Sequence, residues 1–237
     1  PCALEQVITT DNADQVKATC DTTTNTQTYT IRQGSVTKVI TINPTTNTTS
    51  IYDGTSTAVY TGQPRGIVYA NGGISDLRGP DRVSGQPVPG VLNGQQVMIA
   101  AKNDIVLQRD LTVENYATGS AVVGVYSSGG NVRVGSGAPN DCYLDAYVMA
   151  TGGGVTGQGV FQVDNYNSGS PRGTFHLRGG MIAQYYGGFF TFNSSGVLQT
   201  GYGRDFRYDK RGYIPPYFPT TNLYTRTDNP SARTLAW

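Results

Sequence analysis

Val125-Tyr-Ser-Ser-Gly-Gly-Asn-Val132 decides the fold, because its pattern returns four more times along the chain. An apolar residue, six positions rich in small side chains, and a second apolar residue recur from Ile67 to Ile74, Met98 to Ile105, Val148 to Val155 and Ile182 to Phe189. Between the two apolar residues sits a Gly, Asn or Asp corner: Asn71-Gly72-Gly73, Lys102-Asn103-Asp104, Gly129-Gly130-Asn131, Gly152-Gly153-Gly154 and Gly187-Gly188. The internal spacing is seven in every copy, while the first apolar positions lie 31, 27, 23 and 34 residues apart. A short alternating strand follows the corner, as in Ile105-Val-Leu107 and Val132-Arg-Val134. Units this small cannot bury an apolar face alone, so they stack on their neighbours into a continuous core. Gly and Asn tolerate the sharp redirection at each corner. The variable spacing places loops of different length at the remaining corner, over 78–94, 135–141 and 164–173.

These observations point to an all-β fold, a parallel β-solenoid of β-helix-like coils with an N-terminal β-meander. A sandwich of short strands is the competitor. Its hairpin turns differ from one to the next, however, and a constant seven-residue corner is hard to build from them. The constant spacing further predicts that Ile67, Ile74, Met98, Ile105, Val125, Val132, Val148, Val155, Ile182 and Phe189 all point into one core.

Composition agrees. Charged residues make up only 14% of the 237, and glycine supplies 31 of them. Such a chain is poor in the Ala, Leu, Glu and Lys that favour helices. Residues 1–63 read as the meander. Tyr29–Ile31, Val36–Ile42 and Ser50–Tyr52 are β-branched and aromatic runs, separated by the turn chemistry of Gln33-Gly34, Asn43-Pro44 and Asp53-Gly54. Leu4, Val7 and Ile8 could seed a short helix within 3–18, but Thr9-Thr10-Asp11-Asn12 argues for a break. The organisation expected is therefore a meander over 1–63, the solenoid over 64–200, and an aromatic and basic C-terminal cap over 201–237.

Net charge is +1, so no global field draws the chain to nucleic acid or acidic lipid. No apolar run reaches the length of a membrane span. The absence of an initiating Met or signal peptide makes Pro1 look like a cut made after an N-terminal segment. Three cysteines in a chain of this composition suit an oxidising compartment, with Cys2 joined to Cys20 and Cys142 left as a buried thiol. No metal and no cofactor are implied, since there is no C-x-x-C and His176 is the single histidine.

Gly152 to Gly157 matches G-x-G-x-x-G in form, but a strand follows it rather than a helix, so it is a repeat corner. His176 alternates with Phe175 and Leu177, which makes it a surface histidine. Carboxylates for glycosidic chemistry are available as Asp76, Asp81, Asp104, Asp110, Asp141, Asp145 and Asp164. No ladder of them is visible, and the chain is expected not to be an enzyme. Asn47-Thr-Thr49 and Asn193-Ser-Ser195 are sequons in form, which a Thr/Asn-rich chain produces by chance.

The one basic and aromatic cluster runs through Tyr202, Arg204, Arg207, Tyr208, Lys210, Arg211 and Tyr213 to Tyr217, Phe218, Tyr224 and Arg226. Rings that stack bases beside cations that follow the backbone are what single-strand binding requires. Tyr202, Arg204, Arg207, Tyr208, Lys210 and Arg211 are the candidate DNA contacts. The bland alternative is that the same rings and prolines cap the end of the stack.

Gly124–Val134, Ala138–Asp141, Tyr147–Ala150, Val163–Ser168, Arg172–Thr174 and Gly179–Ile182, with Thr200–Asp209 and Pro215–Pro219, resemble a bacterial β-solenoid domain family of unknown function. That family is associated with type IV pilin-like proteins and is similar in kind to the ComZ competence pilins. The resemblance covers about residues 65–226. It implies a solenoid inserted in a pilin sheet, an apolar helix preceding Pro1, and a bacterial cell-surface or extracellular, pilus-associated location. The reading that follows is the soluble ectodomain of a surface-exposed pilin-like protein. It would present its solenoid to extracellular DNA or a surface polysaccharide alongside other pilus subunits. A carbohydrate-active enzyme or polysaccharide-binding adhesin on the same scaffold is the alternative.

Overall fold

The computed structural model describes residues 7–62, 66–210 and 234–235, the backbone alone at 7–10 and 234–235. Strands β1 (Val7–Thr10) and β2 (Gln15–Asp21) open the chain. The antiparallel strands β3 (Thr26–Gln33), β4 (Val36–Asn43), β5 (Thr48–Tyr52) and β6 (Thr57–Thr61) follow. Then come the coils: β7 (Gly66–Ala70) with β8 (Ile74–Arg78), β9 (Gln96–Ala101) with β10 (Ile105–Leu107), and β11 (Val122–Ser127) with β12 (Val132–Val134). The chain continues through β13 (Tyr143–Leu144), β14 (Tyr147–Ala150), β15 (Val160–Val163), β16 (Pro171–Ala183), β17 (Tyr185–Tyr186), β18 (Phe190–Phe192), β19 (Leu198–Tyr208) and β20 (Thr234–Leu235). One parallel sheet stacks β1, β7, β9, β11, β14, β16 and β19; the other stacks β2, β8, β10, β12, β15 and β17. The molecule is thus a parallel β-solenoid of about five turns. A third side is narrower, where Leu111 bridges to Leu144, Leu144 pairs Leu177, and Leu177 pairs Phe206.

The boundaries expected at 63 and 200 do not separate these sheets. Residues 7–21 form no helix but the first coil, because β1 stacks parallel on β7 and β2 on β8. Asn12 supplies the corner, its Oδ1 accepting a 2.9 Å bond from Gly73 N. The meander grows from that coil across β2. Its turns follow the sequence signals: Asn43 Oδ1 accepts from Thr45 N and Thr46 N, and Asp53 Oδ1 from Thr55 N and Ser56 N. These Asx turns replace backbone pairing that the tight connection cannot supply. At the other end β19 is a solenoid strand, paired in parallel with β16 over residues expected to begin a cap.

The expected single-core register fails at four of its ten positions. The inward column on the first sheet is Val68, Ile99, Val125 and Val148, all at most 2% exposed. Ile67 and Met98 are also buried, but on the opposite face of that sheet, with Ala100 and Tyr126. Ile182 pairs Met149 rather than Val148 and is 63% exposed. Val155 is 56% exposed, and Phe161 occupies its place in the column Ile74, Ile105, Val132 and Phe161. The cause lies in corner length. Three residues separate Ala101 from Ile105, whereas four separate their partners Ser127 and Val132. The extra residue falls in Gly129-Gly130, where a side chain on Gly130 would meet Asn103 C at 2.6 Å. In the next coil Gly152, Gly153 and Gly154 all adopt positive φ in a 3₁₀ turn, which carries Val155 out of the stack.

Side chains tie the corners together. Asp104 Oδ1 accepts from Asn131 N at 2.8 Å, Asn131 Oδ1 accepts from Val160 N at 3.0 Å, and Asn131 Nδ2 donates to Gln158 Oε1 at 2.6 Å. The polar atoms of each corner are thus satisfied by the coils above and below, as buried turns require.

Candidate binding surface at the last coils

Four of the expected contact residues, Tyr202, Arg204, Arg207 and Tyr208, lie on β19, where alternation divides them. Arg204 pairs Phe175 and Phe206 pairs Leu177, both core residues, so Arg204, Phe206 and Tyr208 share the inward side. Asp205 and Arg207 face outward. Tyr202 is fully buried; its hydroxyl donates to Pro139 O at 2.7 Å and the Arg172 guanidinium lies 4.4 Å from its ring centre. Burial, above all, pushes its phenol well above the ordinary value. Tyr202 is therefore a core anchor rather than a contact. Lys210 is exposed. Arg211, with the aromatics from Tyr213 to Tyr224, lies outside the described residues.

Arg204 is exposed and has no carboxylate partner among the described residues. Its guanidinium instead lies 5.1 Å from the Tyr186 ring centre, 5.0 Å from Phe190 and 5.9 Å from Phe206. Each ring face attracts the cation. Tyr185, Tyr186, Phe192 and Tyr208 on these last strands keep 42 to 69% of their surface exposed. Here the stack ends, and two hollows open in its floor. One, of about 330 Å³, is walled by Phe161, Met181, Ile182, Phe189 and Phe206 among others. The other, of about 150 Å³, shares Met181 and Phe206 and reaches Arg207 and Tyr208.

The outer side of β19 continues a row the sequence reading missed. Tyr143 pairs His176, which pairs Asp205, across three parallel strands. The Tyr143 and His176 rings stack at 4.2 Å with an 11° tilt, and His176 Nδ1 lies 2.9 Å from Asp205 Oδ2. Arg207 bonds both Asp205 oxygens at 3.0 and 3.1 Å. Beside this row Arg178 forks onto Asp145 at 2.5 and 2.6 Å and covers the Tyr116 ring at 4.3 Å. The signal was present: 143, 176 and 205 are 33 and 29 residues apart, close to the coil length.

The carboxylates considered for catalysis are similarly engaged. Asp76 meets Arg78, Asp81 meets Arg109, Asp110 meets Arg82, and Arg133 bridges Asp104 and Asp164. Asp141 accepts from Thr174 N.

Hydrogen bonds from Arg207 and then His176 hold the Asp205 carboxyl below its usual range. A carboxylate depressed on folding contributes stability above its unfolded value, about 3.9, that is lost as pH falls through the folded one. The Asp205→Asn variant should therefore show a shallower fall of urea midpoint below pH 4 than the wild type. Parallel acid limbs for the two proteins would show that the pair contributes nothing.

Cys20 is a free, half-buried thiol whose Sγ donates to Pro89 O at 3.3 Å; Cys2, its expected partner, lies outside the described residues. Burial first, then Glu114 and Asp21, push the Cys20 thiol up to about 11. Cys142 is a fully buried free thiol, as read from the sequence, and burial raises it further still.

Among the described residues no helix is long and apolar enough to cross a membrane. No family model matches the chain, and no curated protein or solved structure matches it either.

Proposed function

We propose that this chain is a non-enzymatic binding module: the ectodomain of a surface-exposed, pilin-like or pilus-associated bacterial protein whose last coils engage extracellular DNA as a single strand. The observation that carries the reading is Arg204, a cation cradled by three rings, among them the exposed Tyr186, and free of any carboxylate among the described residues. Bases stack on such rings at roughly 1–3 kcal/mol each, whatever their sequence, while cations follow the phosphates. The pilus association rests on the sequence resemblance. The absence of an enzymatic role is supported by the seven carboxylates, each turned to a donor within its own fold.

The test is an anisotropy titration of a labelled single-stranded oligonucleotide, at low and high salt, against the wild type and an Arg204→Ala, Arg207→Ala, Lys210→Ala triple variant. Arg204 and Lys210, which have no carboxylate partner among the described residues, give a slope of log K against log salt of about −1.4, since Arg207 is held by Asp205. The wild type should bind with that slope and the triple variant should lose most of both affinity and slope. Equal binding by the two proteins would exclude these residues. A second reading, a polysaccharide-binding adhesin, is favoured by the pairing of Arg82, Arg178 and Arg207 with aspartates, which leaves little free positive charge for a polyanion. Retention on a neutral glycan matrix with no oligonucleotide binding at low salt would select it.

A further inference from the structure

We propose that the hollow at the last coils is a binding site for a small amphiphilic carboxylate, an apolar body with one anionic head. This ligand is distinct from the polymer considered above, although it shares Arg204 with that surface.

The cavity follows from how the stack stops. Each earlier coil fills the core of the one before it, so Val148 is covered by its neighbour and is fully buried. Met181 is its partner in the last full coil, and it is 39% exposed because no further inward column among the described residues covers it. Glycines widen the gap while letting backbones meet: a side chain on Gly187 would fall 2.1 Å from Phe161 O, and one on Gly179 would fall 2.0 Å from Ala146 O. The result is the 330 Å³ hollow, which shares Met181 and Phe206 with the neighbouring 150 Å³ one. The larger is at the lower end of the range of about 300–1,000 Å³ that small-molecule sites occupy.

The lining selects the body of the ligand and the rim selects its head. Phe161, Met181, Ile182, Ala183 and Phe189 give the floor no charged group, so a sugar or a phosphate inside would leave its polar atoms unsatisfied. Arg204 lies over Tyr186 and Phe206, two walls of the same hollow, with no carboxylate partner among the described residues. Arg207, which reaches the smaller hollow, is already held by Asp205. One unpaired cation at the edge of an apolar hollow complements one carboxylate on an apolar body, whether alkyl or aryl.

The experiment is calorimetric titration of the whole chain with octanoate, 4-phenylbutyrate and, as the uncharged control, octanol. Saturable single-site binding of a carboxylate is expected, and the stronger of the two acids identifies the alkyl or aryl class. Arg204→Gln should weaken the carboxylate about fivefold, as loss of an exposed charge pair does, and leave octanol unchanged. Met181→Glu, at a partly exposed position, should abolish all binding; Ile182→Glu serves the same purpose should the first fail to fold. The proposal is overturned by the absence of saturable binding to wild type, by Arg204→Gln leaving the carboxylate unaffected, or by full binding to the glutamate variants. Because Lys210→Ala should reduce oligonucleotide binding without altering octanoate binding, failure of either reading is visible apart from the other.

Discussion

Replacing Phe161 by alanine is expected to cost about 3–5 kcal/mol, the usual loss for a buried phenylalanine, while Val155→Ala should stay within about 0.5 kcal/mol. The two positions are rivals for one place in the core. Val155 completes the seven-residue repeat in the sequence, but Phe161 pairs with Val132 and is 1% exposed. Its ring meets Phe189 at 5.2 Å, Phe175 at 5.8 Å and Phe206 at 6.5 Å, so truncation opens a void at the centre of an aromatic cluster. Rings at these separations add to what burial alone contributes. Urea midpoints for the two variants decide the matter. A larger loss for Val155→Ala would restore the register of the repeat and remove the one described here.

Phe161 also shows why the solenoid was legible but its register was not. The recurrence of a small-residue corner between apolar strands depends only on composition, and it survives changes in corner length. Register depends on length itself, because slipping one residue turns every side chain to the other face. Ile67 and Met98 precede the true inward residues Val68 and Ile99 by one position, and both neighbours are apolar. Nothing in the local pattern distinguishes them; only the pairing of Ile99 with Val125 does. The meander was easier to read, since each of its turns carries its own Asx or Gly signal. The first coil was harder, because its corner is Asp11-Asn12 rather than a glycine run.

The candidate surface divides along similar lines. The sequence places Arg204, Arg207 and Tyr208 together, and they are close in space. Strand alternation, already visible at Phe175, His176 and Leu177, also applies to β19 and sends Arg204 and Arg207 to opposite sides. What no spacing reveals is which cations are spent. Arg207 is bound by Asp205 two residues away, yet Arg178 reaches Asp145 across 33 residues and Arg82 reaches Asp110 across 28. Those long-range pairs exist only because stacking brings one coil against another.

The Arg82 pair carries the second large effect. Asp110, with a side chain 2% exposed, accepts from Arg82 Nε at 2.6 Å, from Arg82 Nη2 at 3.0 Å and from Tyr143 N at 2.8 Å. Arg82 also donates to Asp141 O at 2.7 Å, so it fastens the long 78–94 loop to the third side of the stack. Asp110→Ala leaves a guanidinium and a backbone amide without their acceptor in a largely dry place. The expected cost is about 3 kcal/mol, the lower end for a buried pair because Arg82 keeps 22% of its side chain in water. Arg82→Met should cost at least as much, since the carboxylate it abandons is 2% exposed and keeps the Tyr143 amide but not its cation. The double variant Arg82→Met, Asp110→Ala removes both charges together, and its loss should fall at least about 1 kcal/mol short of the sum of the single losses, the mark of direct coupling. Urea denaturation of the four proteins closes the cycle, and limited proteolysis within 78–94 reports whether the loop has come loose. Additive losses, with the loop as protected in Asp110→Ala as in the wild type, would mean that the apolar packing of Leu77, Val91 and Leu92 holds this side without the ion pair.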